Sequence, residues 1–76
     1  MKAVLKFKIP KEKDEHYLAI HGVDYYCSLL DLDDHLRSQL KHNDKLTIDQ
    51  VEFADNIRDK LREIMDSHHV SLDDVE

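Results

Sequence analysis

The sequence predicts a mostly α fold of the α+β class. It comprises an N-terminal β-strand, a short helix, a two-helix antiparallel hairpin and a short extended C-terminal tail that can pair as a strand. Three observations predict it. Apolar residues alternate with lysines over residues 3–9, Tyr25 and then leucines recur every three or four residues to 40, and Thr47-Ile48-Asp49-Gln50 has the form of a helix-opening capping box. A turn-rich all-β fold is excluded, because Gly22 and Pro10 are the only glycine and proline among 76 residues. The same length holds one small domain, 1–76, and no second core.

In the first element Ala3, Leu5, Phe7 and Ile9 fall on one side of a period-two pattern and Lys2, Lys6 and Lys8 on the other, with Val4 the exception. A lone strand leaves its backbone unsatisfied. The segment is therefore expected to pair with the Val70–Leu72 tail or with the same strand of another copy, which makes Leu5, Phe7 and Ile9 candidate oligomerisation residues of a homodimer. Pro10 suits a first helical position and Gly22 an exit, so a short helix is expected over 11–21.

The second helix is expected over 24–42. Tyr25, Leu29, Leu32, Leu36 and Leu40 form its stripe, widened by Tyr26 and Leu30, and Asp24 is placed to cap its start. Asp33 and Arg37 are spaced for an intrahelical ion pair, and Asp31 and Asp34 face water. Asn43-Asp44-Lys45 breaks the pattern. The third helix is expected to start at 48 behind the Thr47/Gln50 box and to run to about 67. Ala54, Ile57, Leu61, Ile64 and Met65 form its apolar side, with Gln50, Phe53 and His68 at the margins.

Charge is unevenly distributed. The chain carries −6 overall, with +4 on residues 1–13 and −10 on the rest, which disfavours direct binding to nucleic acid or to an anionic membrane. The single Cys27 cannot form an intramolecular disulfide and points to a reducing compartment, and no segment reads as a signal peptide or membrane span. No glycine-rich phosphate loop and no Cys-x-x-Cys pair exists, and no cofactor is expected.

Among the chemistry-bearing residues, His68 and His69 beside Asp66 are the nearest approach to a metal cluster. Adjacent histidines diverge by about 100° on a helix, so no metal site is expected there. Glu52-x-x-Asp55 and Glu63-x-x-Asp66 have the spacing by which all-α nucleotide pyrophosphatases hold magnesium, but they lie opposite the apolar side of their helix. Cys27 lacks a histidine at i+3 or i+4 to activate it, and no catalytic residue is assigned. Tyr17, Tyr25 and Tyr26 lack the surrounding positive charge that base stacking needs and are assigned to packing. Taken together, Glu52, Asp55, Asp59, Glu63 and Asp66 form one acidic stripe, about 21 Å long at 1.5 Å per residue, suited to a basic, nucleic-acid-binding groove on a partner protein. Arg58 and Arg62, three residues after Asp55 and Asp59, are placed to neutralise part of it on a solvated face.

Lys2-Ala3-Val4-Leu5-Lys6-Phe7 leading into Pro10, Leu18-Ala19 before Gly22, Tyr26, Leu30-Asp31-Leu32-Asp33 with Leu36-Arg37 and Lys41, the run Arg58–Ile64, and Val70-Ser71-Leu72-Asp73 together resemble a group of small tailed-bacteriophage and prophage proteins. The resemblance covers nearly the whole chain and departs at His69, where a glycine is expected after the helix. It implies a phage origin and a host bacterial cytoplasm, and transfers no catalytic residue.

The leading expectation is a non-enzymatic phage accessory protein that binds and inhibits a host or anti-phage defence protein through the acidic stripe. Two alternatives stay open. One is an oligomer that sequesters a signalling nucleotide between subunits, with Lys6, Lys8 and Arg37 as cations. The other is a magnesium-dependent nucleotide hydrolase relying on Glu63.

Overall fold

A computed structural model describes residues 1–74. The elements in chain order are α1 (Lys13–Ile20), α2 (Gly22–His42) and α3 (Ile48–Ser67), with no strand among the described residues. The expected N-terminal and C-terminal strands are therefore corrected, and the fold is all-α.

The physical reason lies in where the two segments find partners. Residues 1–8 form no ladder; Phe7, half-buried, sets its ring 5.4 Å from that of His16, and Leu5 and Ile9, still 77% and 59% exposed, edge the same shallow concavity with Ala19 and Ile20. The alternation that reads as a strand thus finds a helix beside it and no strand partner. At the other end, the Tyr26 hydroxyl donates to the Leu72 carbonyl oxygen at 2.5 Å, and Leu72 is buried. Residues 71–74 close into a turn in which Ser71 N donates to Asp74 Oδ2 and Asp73 N to Ser71 Oγ. The tail is held on the hairpin and offers no edge to a strand.

Helix boundaries follow local chemistry. Residues 9–12 form a turn that includes a cis Ile9–Pro10 bond. Lys8 N donates to Glu12 Oε1 at 2.9 Å and Lys13 N to the Pro10 carbonyl at 3.2 Å, so α1 starts three residues after the proline, not at it. One residue, His21, divides α1 from α2. Its N–H donates to the Tyr17 carbonyl and its own carbonyl accepts from Tyr25 N, both at 3.0 Å. Gly22 is the first residue of α2 and has no positive φ, so it does not serve as the expected exit. Asp24 does not cap α2; its carboxylate meets His21 Nδ1 at 2.9 Å.

The α2–α3 connection is built on Asn43, which accepts from Lys45 N at its Oδ1 and donates from Nδ2 to Gln39 Oε1. The α3 start is as the sequence predicts. Thr47 Oγ1 accepts from Gln50 N at 3.2 Å and Gln50 Oε1 accepts from Thr47 N at 2.9 Å, satisfying two N-terminal donors. At its far end His69 adopts φ 60. Its N–H donates to the Asp66 carbonyl and that of Val70 to the Met65 carbonyl, completing a Schellman cap with a histidine where glycine is usual.

α2 and α3 pair antiparallel, with Tyr26 and Leu29 at the Met65 end and Asp33 beside Arg58 and Arg62. Among the described residues Met65 and Leu72, 5% and 6% exposed, are the only buried apolar side chains. The molecule is elongated, 52 × 27 × 19 Å, with a radius of gyration of 17.1 Å against about 11 Å for a compact domain of this length.

Candidate functional site

The residue that organises the hairpin is an acid on its inner face. Asp33 follows Tyr26, Leu29 and Leu30 at helical spacing, so its side chain projects between the two helices, and it is 4% exposed. Burial of an unpaired carboxylate is prohibitive, and two arginines from α3 resolve it. Arg58 Nε donates to Asp33 Oδ1 at 3.1 Å and its Nη2 to Oδ2 at 3.4 Å, while Arg62 Nη2 donates to Oδ2 at 3.3 Å. Asp33 thus bridges helices, and the expected pair with Arg37 on its own helix is corrected.

The hydrogen bond to Asp33, more than any other influence, holds the Arg58 guanidinium above arginine's ordinary range; burial opposes this, and the charges of Asp33, Asp55 and Asp59 add to it.

That arrangement alters the balance of the acidic stripe. Glu52, Asp55, Asp59, Glu63 and Asp66 all face solvent on α3. The Arg58 and Arg62 guanidiniums make their direct contacts with Asp33, not with Asp55 or Asp59, while the charges of both acids still act on Arg58 across the helix surface. The ion pair within the stripe, among the described residues, is Lys60 Nζ to Glu63 Oε1 at 3.2 Å.

Other candidates are placed as follows. Lys6 and Lys8 sit on the N-terminal segment and Arg37 midway along α2, and none of them lines the concavity between that segment and α1. Among the described residues no three histidine, cysteine or acidic side chains gather in a geometry that could hold a metal ion. His68 and His69 fall in the α3 cap, where His69 contributes backbone conformation. Cys27 is exposed.

A groove of about 490 Å³ lies between the start of α2 and the end of α3, walled by Val23, Tyr25, Tyr26, Leu29, Met65 and Val70. The sequence does not disclose it, since it depends on the tail folding back. No described helix is long and apolar enough to cross a membrane. Comparison with protein-family models, curated proteins and solved structures gives no match.

Proposed function

We propose that the chain is a non-enzymatic accessory protein that acts by docking on another protein through the acidic side of α3. The observation that carries this reading is the inward turn of Arg58 and Arg62. With both on Asp33, the carboxylates of Asp55 and Asp59 point to solvent beside Glu52 and Asp66 without a basic side chain within ion-pair distance among the described residues. A row of like charges costs an isolated helix a few tenths of a kcal/mol per neighbouring pair, and contact with a basic groove offsets that cost. The resemblance to small phage proteins supports a host or defence protein in the bacterial cytoplasm as the partner.

Affinity capture from bacterial lysate, with the wild-type chain and an Asp55→Lys, Asp59→Lys, Glu63→Lys variant side by side, tests this. A basic partner held at low salt, released as salt rises and missed by the variant is the expected outcome. Equal capture by the two chains assigns the stripe to solvation alone.

A further inference from the structure

Independently of the acidic stripe, we infer that one side of the α2–α3 hairpin is covered by the same side of a second copy, giving an antiparallel four-helix dimer. The face is defined by side chains that the intramolecular packing leaves out. On α3, Ala54, Arg58, Leu61 and Met65 point towards α2, whereas Phe53, Ile57 and Ile64 are displaced by about 90° around the axis at 100° per residue. Phe53 is 68% exposed, Ile57 38% and Ile64 48%. On α2, Tyr26, Leu30, Asp33 and Leu40 face α3, and Tyr25 and Leu32, 48% and 47% exposed, are displaced by about 105°.

Both displacements run in the same rotational sense about their own helix. Because the helices are antiparallel, the two flanks come out on one side of the hairpin. Leu29, Leu36 and Leu61, all half-buried, fill the strip between them. The acids Glu52, Asp55, Asp59, Glu63 and Asp66 are displaced the opposite way, by about 120°, so the hairpin has one apolar side and one acidic side. An apolar side of this kind, built from two helices, is half of a four-helix bundle.

Area and symmetry together favour a second copy as the occupant. A folded monomer of 9.0 kDa is expected to expose about 4,850 Å², and this chain exposes 6969 Å², roughly 2,100 Å² more. A stable homodimer buries about 1,000 Å² or more of each chain, and the excess is large enough to accommodate that. The pattern is also self-complementary under a two-fold axis. It carries aromatic and aliphatic side chains at its centre and keeps the like-charged acidic stripes on the outer surfaces, where they do not repel across the seam.

Sedimentation equilibrium and native mass measurement of the full chain test this, with a Phe53→Lys, Ile57→Lys, Ile64→Lys variant and the acidic-stripe variant described above as comparisons. The wild-type and stripe variants are expected at twice the 9.0 kDa chain mass, and the apolar-face variant is expected to weaken self-association by about 100-fold or more. Should the apolar-face variant lose its helical signal, the wild-type melting temperature decides. It rises with chain concentration if folding is coupled to dimerisation. A wild-type chain that sediments at the single-chain mass at all concentrations up to about 100 μM, or a dimer indifferent to all three lysines, overturns the proposal. Loss of partner capture by the stripe variant with its dimer intact separates this result from that of the docking reading.

Discussion

The Tyr26 hydroxyl reaches the Leu72 carbonyl across 46 positions of sequence and ties the C-terminal tail to the start of α2. The contact is the tail's polar anchor and Leu72 its apolar one. Tyr26→Phe keeps the ring and removes the donor, and is expected to cost about 1 kcal/mol. Leu72→Ala removes one of the few buried apolar side chains and is expected to cost about 2–3 kcal/mol. Urea denaturation gives both values, and hydrogen exchange should show faster exchange at residues 70–74 in Tyr26→Phe. An unchanged exchange pattern there would show that the tail does not depend on the hydroxyl.

Asp33 and its two arginines make a different prediction. Asp33→Asn leaves Arg58 and Arg62 facing a neutral amide between the helices, and a loss of about 2–3 kcal/mol is expected, less than for a fully buried pair because Arg62 is half in solvent. Arg62→Gln, with Arg58 still bidentate, is expected to cost under about 1 kcal/mol. Since the Arg58 pKa is raised on folding, its contribution is fully present below arginine's ordinary range and fades only above it. Between roughly pH 6 and 9 the Arg58 share of the difference between wild type and Asp33→Asn should stay constant in urea titrations. A cost for Asp33→Asn no larger than for an exposed acid such as Asp34 would contradict the bridging role.

The cap of α3 predicts a gain. His69 holds a left-handed backbone that costs a non-glycine residue about 1 kcal/mol, and the structure shows the Schellman hydrogen bonds formed despite it. His69→Gly is expected to stabilise the chain by up to about 1 kcal/mol, visible as a rise in melting temperature of several degrees. His69→Ala, which keeps the strain, should not. Matching shifts in the two variants would locate the histidine's effect in its side chain.

Local signals were legible where they are closed within a few residues. The Thr47/Gln50 box set the start of α3, and the leucine periodicity set α2 as a helix. Orientation was less legible. The repeat through Tyr25, Leu29, Leu32, Leu36 and Leu40 reads as one stripe, yet Tyr26, Leu30 and Asp33 turn inward while Tyr25 and Leu32 face out. A leucine stripe this wide exceeds what one neighbouring helix can cover, and periodicity does not say which edge that helix takes.

Asp33 finds its partners off its own helix for a related reason. The nearest opposite charge in sequence is Arg37, whereas the partners lie 25 and 29 residues away. Its position one helical turn after Leu29 and Leu30 was the signal that it faced inward. The alternation of Leu5, Phe7 and Ile9 reads as a strand, but the segment finds no strand partner, and only Phe7 is half-buried, beside His16 of α1.

Met65 and Leu72 supply so little buried apolar surface that the isolated chain has a shallow reserve against opening. In a cell, proteases read the population of opened molecules, and any protein surface that covers the chain reduces that population. Copies without such cover are expected to turn over fastest.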